Sequence, residues 1–177
     1  MPEIDLRGGP LSSGFPREEQ FISRELYYLL AIFSASPKLA QLRQSLEGGC
    51  VYGWSIRSFE YPEVGRILLG IASMVRNDWD ADPGRIESIL SMLHPNDGVG
   101  VLVPDLARPA NFVSLTLRES LNKILHAQTI NLDRSEGPSI YHGHLNPRVF
   151  LYGDKSGALW KATLEIYSWA EKVHSIV

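Results

Sequence analysis

The sequence predicts a mainly α-helical protein of the α+β class, in which a bundle of about five or six helices carries a β-hairpin packed near its carboxyl end. Two observations support this fold class. Apolar residues recur at the spacing of one helical face through most of the chain, and proline or glycine separates these stretches. Two aromatic-rich segments near the carboxyl end alternate in the manner of paired strands.

The composition indicates one domain that needs no covalent staple. A chain of 177 residues is long enough to bury a core of its own, and its only cysteine, Cys50, cannot form an internal disulfide. We expect residues 1–15, rich in glycine, proline and serine, to be a flexible lead-in, and residues 16–177 to form the domain. No long apolar run or secretory signal is present, which predicts a cytoplasmic protein without membrane contact.

The formal charge of −3 is weakly acidic. It argues against a protein that coats nucleic acid through a broad basic surface, and it leaves room for a local groove of arginine or lysine.

The first part of the chain predicts a helical hairpin. One helix begins near Pro16 and carries an apolar stripe as far as Phe33. Ser36-Pro37 then restarts the chain as an N-cap and first-turn proline, and Gly48-Gly49 ends the second helix.

The middle of the chain alternates between helical and extended patterns. Residues 50–61 fit either a short strand or an extended crossing. A third helix opens at Pro62 or Glu63, and Asp82-Pro83 caps a short fourth helix. Residues 99–113 contain two prolines and are expected to be extended or looped.

The stretch from Ser114 to Ile130 predicts the helix on which the functional argument depends. Thr116 and Glu119 have the spacing of a capping box, which marks its start. An apolar stripe follows at helical spacing and consists of Leu117, Leu121, Ile124 and Leu125.

The carboxyl-terminal part predicts strands followed by a last helix. Residues 129–132 and 139–142 fit short strands. Residues 148–152 and 158–164 fit the two strands of a hairpin whose turn is 153–157, with glycine at both ends.

Three polar side chains follow one another along the edge of the central apolar stripe, namely Arg118, Asn122 and His126. An arginine can hold a phosphate through two hydrogen bonds, an asparagine can orient a substrate, and a histidine can move a proton near neutral pH. A structural role is the alternative. In that case Arg118 pairs with Asp78 or Glu119, while Asn122 and His126 bind the backbone of the hairpin.

An arginine and a histidine on one bundle helix, with a polar residue between them, resemble the motif of the HEPN superfamily. The resemblance implies a helical bundle, and in many members a metal-independent ribonuclease that works as a dimer. Arg118 would then hold the scissile phosphate and His126 would assist attack by the 2′-hydroxyl, with Asn122 as the intervening polar residue. More residues separate Arg118 from His126 than in the usual family motif.

A second constellation lies at Tyr141-His142-Gly143-His144. Two histidines at i and i+2 of an extended segment face the same side and can share a metal ion. His126 and Asp133 are the candidates for further ligands.

Three functional hypotheses follow. The first is a small HEPN-like protein that acts by self-association as a homodimer, or by binding a partner protein or RNA, in a stress or phage-defence setting. The second is a ribonuclease that uses Arg118 and His126, and the third is a metal site built on His142 and His144. The sequence predicts no cofactor, since it contains no phosphate-binding loop, dinucleotide fingerprint or hydrolase elbow.

Overall fold

The structure, a computed structural model, describes residues 18–45, 50–93, 98–135 and 143–177. These residues form five helices and five strands. In chain order they are α1 (Glu18–Ser45), α2 (Cys50–Ala81), α3 (Pro83–Leu93), β1 (Gly98–Val103), β2 (Val113–Thr116), α4 (Leu117–Leu125), β3 (Thr129–Arg134), β4 (Leu145–Lys155), β5 (Ala158–Glu165) and α5 (Ile166–Ile176).

The predicted bundle of five or six helices with a single hairpin is wrong, because the hairpin is the centre of a larger sheet. The five strands form one antiparallel sheet in the order β2-β1-β5-β4-β3. Strand β1 pairs with β5 across about sixty residues of chain, with Val101 opposite Thr163. Pairing between such distant segments leaves no local pattern, so residues 99–113 gave no sign of a strand partner.

The hairpin of β4 and β5 is longer and its turn is shorter than the sequence predicted. Lys155 is opposite Ala158, which leaves only Ser156 and Gly157 in the turn. Their φ angles of 55° and 85° are those of a type I′ turn, whose twist suits a hairpin. The Asp154 carboxylate accepts a hydrogen bond from the Gly157 amide at 3.0 Å and closes the turn.

The prolines at 37 and 62 do not divide the amino-terminal half into separate helices, and this part of the prediction is wrong. Pro37 lies inside α1 and Pro62 lies inside α2. Next to Pro37, the buried Ser36 hydroxyl accepts a hydrogen bond from the Leu145 amide at 2.9 Å and fixes α1 to the start of β4. Pro62 is exposed, so water can bind the carbonyl that loses its helical partner.

The short helix α3 follows the prediction. The Asp82 carboxylate accepts a hydrogen bond from the Arg85 amide at 3.1 Å, and Pro83 is the first helical residue. None of the helices in the described part of the chain is apolar enough over a sufficient length to cross a membrane. The predicted lead-in at 1–15, the glycine stop at 48–49 and the strand at 139–142 lie outside the described residues.

The sheet has one buried face and one open face. Alternate side chains of β4 and β5 pack into the core together with the helices, and these are Leu145, Val149, Leu151, Trp160, Ala162 and Leu164. The intervening side chains point the other way, and none of them is buried: Arg148, Phe150, Tyr152, Leu159, Lys161, Thr163 and Glu165. Helices α1, α4 and α5 all contact β4, and the side chains on the buried face of the sheet belong to the hydrophobic core.

Gly100 is the position at which two strands require the absence of a side chain. A Cβ there would overlap the carbonyl oxygen of Thr163 on β5, and its φ of 154° disfavours other residues. We expect Gly100→Ala to lower the free energy of unfolding by about 2 kcal/mol or more, measured by urea denaturation.

Gly65→Ala is the matched control, because a Cβ at this helical position has no neighbour within 4 Å. It should raise the free energy of unfolding by roughly 0.5–1 kcal/mol, since alanine is the better helix former. Equal effects of the two substitutions would contradict the pairing of β1 with β5.

Candidate functional site

Helix α4 is fixed at its start and along its buried face. The Thr116 hydroxyl accepts a hydrogen bond from the Glu119 amide at 3.2 Å, which confirms the predicted cap. The Ser120 hydroxyl is buried, donates to the Leu117 carbonyl at 2.6 Å and accepts from the Trp169 indole N–H at 3.0 Å. This second contact binds α4 to α5. The direction of the polar side chains on α4 is therefore well determined.

Arg118, the first member of the predicted row, faces α2 and α3. Its guanidinium lies 3.5 Å from the Glu87 carboxylate and 5.7 Å from the centre of the Trp79 ring. Both the Arg118 and Glu87 side chains are largely exposed, so their ion pair contributes little to stability. The ion-pair partner of Arg118 is therefore Glu87, whereas the structural role considered for Arg118 predicted Asp78 or Glu119.

Asn122, the second member, links α4 to α2. Its side-chain oxygen accepts a hydrogen bond from Arg76 at 3.0 Å, and its amide donates to Glu119 at 3.4 Å. Arg76 also binds Asp80 at 2.9 Å, one turn further along α2. Asn122 is thus a connecting residue between two helices, and it does not bind the hairpin backbone.

His126, the third member, caps the carboxyl end of α4 and is exposed. Its backbone amide donates to the Asn122 carbonyl at 3.0 Å. A Cβ added at Gly153 would lie 3.0 Å from the His126 carbonyl oxygen, so the end of α4 approaches β4 closely at this point. The imidazole is free to face a groove between α4 and the hairpin.

That groove is polar and has a volume of about 440 Å³. Its lining comes from α4 and from the turn end of the hairpin: Glu119, Asn122, Lys123, His126, Asp154, Lys155 and Trp160. Lys123 is buried, with its ammonium 3.3 Å from Glu119 and 4.3 Å from the centre of the Trp160 ring. The remaining charges, on Asp154 and Lys155, are of opposite sign, so the groove has no strong charge preference.

The structure brings Asn122 and His126 together and leaves Arg118 outside the groove. His126, the C-cap of α4, is eight residues beyond Arg118, which corresponds to a rise of about 12 Å along the helix. A phosphate held by Arg118 would therefore lie far from the imidazole within one chain. The catalytic roles of the three residues and the HEPN resemblance stay predictions.

The histidine pair is described only in part, because His142 lies outside the described residues. The His144 imidazole Nδ1 is 2.9 Å from the Ser135 hydroxyl, which also accepts from the His144 amide at 3.0 Å. His126 lies beside Gly153, which is nine residues further along the chain than His144. At the rise of a β-strand, this separation corresponds to roughly 30 Å between the two histidines. His126 therefore cannot join His144 at one metal ion within the chain.

Asp133 is also engaged, with its carboxylate 3.6 Å from Arg148. Within the ranges that the structure describes, no three histidine, cysteine or acidic side chains come together as a metal site would require. The metal hypothesis stays a prediction that depends on His142.

A larger cavity, which the sequence did not predict, lies between α1 and α2. It has a volume of about 570 Å³ and is open to the surface. Its walls are mainly apolar and include Tyr28, Ala31, Ile32, Ala35, Leu39, Phe59 and Ile67. We call it the α1/α2 groove. In the sequence, this groove is indicated only by the pair Tyr27 and Tyr28, which lies beside the apolar stripe of α1 and is exposed in the structure.

Charged side chains form one rim of the α1/α2 groove. Arg66 lies 2.8 Å from the buried Glu25 carboxylate and 2.9 Å from Glu63. The hydrogen bond to Glu63 raises the pKa of Arg66 above its usual value; burial opposes this rise, and the contact with Glu25 adds to it. Arg66 is therefore charged at every pH at which proteins are studied. Because its pKa is raised on folding, its ion pairs contribute fully to stability at any pH below the usual pKa of arginine.

Glu60 supplies a further carboxylate to the lining. It is buried, and its Oε2 accepts a hydrogen bond from Arg134 at 2.9 Å. In the described part of the chain its Oε1 has no hydrogen-bond partner. This atom is itself buried, so a ligand in the groove does not contact it.

No family model matches the chain, and comparisons with curated proteins and with solved structures also find no match. Function is therefore inferred from the geometry alone.

We expect the purified protein not to cleave RNA in the presence of a chelator, because Arg118 is held beside Glu87 and Trp79, away from His126. Gel analysis of an end-labelled RNA measures this. Cleavage that disappears in His126→Ala and persists in His174→Ala, a change of an exposed histidine on α5, would contradict the expectation and favour the ribonuclease hypothesis.

Proposed function

We propose that the protein is a binding module that holds an amphipathic helical segment of a partner protein in the α1/α2 groove. The observation that carries this proposal is the groove itself, an open cavity of about 570 Å³ whose walls are mainly apolar. Soluble proteins rarely expose continuous apolar surface of this kind unless another molecule covers it.

The shape of the groove supports a helix as the occupant. Ala31 and Ala35 are one helical turn apart on α1, so they lie on the same face and form a shallow floor. Small side chains at this spacing let the ridge of another helix approach closely. Tyr28 and Leu39 extend the same face by a further turn at either end. An apolar ridge at i, i+3 or i+4, and i+7 would fill this length.

The charges at the rim are already paired within the chain. Glu60 binds Arg134 at 2.9 Å, and Glu63 binds Arg66 at 2.9 Å. The groove therefore has no strong charge preference, and apolar contacts would select the partner helix.

The exposed ion pairs at the rim contribute mainly to orientation, since solvent weakens them. The binding free energy would come chiefly from apolar side chains that enter the groove. This division predicts that filling the groove abolishes binding, whereas changing its surroundings does not.

The test is selection of helical peptides from a displayed library, followed by affinity measurement with Ala35→Trp. Ala35 is exposed and lies on the floor, so the indole fills the groove without disturbing the core. We expect enriched peptides to share an apolar ridge, and their affinity to fall by about tenfold or more in Ala35→Trp.

Ser34→Trp is the matched control, because Ser34 is an exposed neighbour on the same helix that does not line the groove. It should leave peptide affinity unchanged. The proposal is overturned if no peptide is enriched, or if both tryptophan variants behave alike. Self-association that is lost in Ala35→Trp would also overturn it, since a second copy would then be the occupant.

A further inference from the structure

The open face of the sheet presents a second surface, separate from the α1/α2 groove. At its centre Phe150 and Tyr152 are alternate residues of β4, so their side chains lie on the same face. Lys161 on β5 is opposite Tyr152, and its ammonium lies 4.5 Å from the centre of the Phe150 ring and 5.7 Å from that of Tyr152. We call Phe150, Tyr152 and Lys161 the aromatic platform.

The charge of Lys161 is not neutralised by the carboxylates that share the face. Asp133 and Glu165 both lie beside Arg148, at 3.6 and 3.7 Å from its guanidinium. Asp154, further along β4 on the same face, accepts a hydrogen bond from the turn of the hairpin. In the described part of the chain Lys161 has no carboxylate within 4 Å, and its ammonium lies beside the two rings. The centre of the face therefore combines two aromatic rings with one uncompensated positive charge.

Hydrogen-bonding side chains surround the rings. Asn131 and Thr163 lie opposite Phe150 on the two neighbouring strands, and Thr129 lies opposite Tyr152. These groups can donate and accept hydrogen bonds at the edges of a planar ring placed on either aromatic side chain.

We propose that the aromatic platform binds single-stranded nucleic acid, with bases on Phe150 and Tyr152 and a phosphate at Lys161. Open antiparallel sheets that display aromatic side chains recognise unstacked bases in this manner. A flexible lysine can leave the rings and pair with a phosphate, which exposes both rings for stacking. The overall charge of −3 is compatible with such a local contact.

The spacing of the rings favours a single strand over a duplex. Two residues apart on a strand, Phe150 and Tyr152 are separated by roughly 7 Å. Bases stacked in a duplex are about 3.4 Å apart. Bases that occupy both rings must therefore be unstacked from each other, as they are in an extended single strand.

The test is fluorescence anisotropy of a labelled single-stranded RNA of about ten nucleotides, compared with the duplex of the same sequence. We expect the single strand to bind more tightly than the duplex. Phe150→Leu and Tyr152→Leu, which keep the apolar character of the surface, should each weaken binding by about five- to hundredfold.

Lys161→Met separates a phosphate contact from a structural role. It should lower the slope of log affinity against log salt concentration by about 0.7, the value for one phosphate on a single strand. Lys38→Met, a change of an exposed lysine on α1, should leave affinity and slope unchanged. Ala35→Trp should also leave RNA binding unchanged, which keeps this site distinct from the α1/α2 groove.

The proposal is overturned if the labelled strand gives no change in anisotropy, or if the leucine variants, with native thermal unfolding, bind as the wild type does. It is also overturned if Lys38→Met has the same effect as Lys161→Met. A dimer in sedimentation that dissociates in Phe150→Leu would assign the face to a second copy of the chain instead.

Discussion

The alternation of side chains along β4 and β5 is the constraint on which the rest of the structure depends. Strand geometry sends successive side chains to opposite faces, and in this sheet one face is apolar enough to collect α1, α4 and α5, on which α2 and α3 pack in turn. Trp160 and Trp169 lie in that shared core, where Trp169 donates a hydrogen bond to Ser120 on α4. Because these helices lie on one face, the described part of the chain leaves the other face of the sheet open. The position of α4, and with it the polar groove beside His126, follows from the same packing.

The two candidate interaction surfaces differ in chemistry. The α1/α2 groove is a concave apolar cavity with acidic and basic residues at one rim, and it suits the ridge of a helix. The aromatic platform is a flat surface with one uncompensated cation, and it suits planar anionic ligands. The polar groove beside α4 has balanced charges and its buried Lys123 is already paired, so it offers a ligand less than either surface.

Local sequence signals predicted the elements that local chemistry determines. The cap at Thr116 and the start of α3 at Asp82 are set by residues close in sequence, and they are confirmed. The hairpin of β4 and β5 is set in the same way, although its turn has two residues where five were predicted. The continuity of α1 through Pro37 was not predictable in this way. A proline inside a helix costs about 3 kcal/mol, and here packing against α2 and the bond from Leu145 to Ser36 offset it. Pairing of β1 with β5 likewise depends on contacts between distant segments.

The same distinction between local signals and distant contacts applies to the candidate functional site on α4. Arg118 and Asn122 lie on one helix as predicted, but α4 ends one residue before His126, which is its C-cap. The neighbours that orient each side chain come from α2, α3 and the hairpin. Hydroxyl-radical footprinting of the full chain in solution tests the one-sided sheet most directly. A sheet with one open face predicts strong modification of Leu159, which is 58% exposed, together with protection of Trp160 and Trp169. Protection of Leu159 equal to that of Trp160 would contradict it, since the face described as open would then be covered.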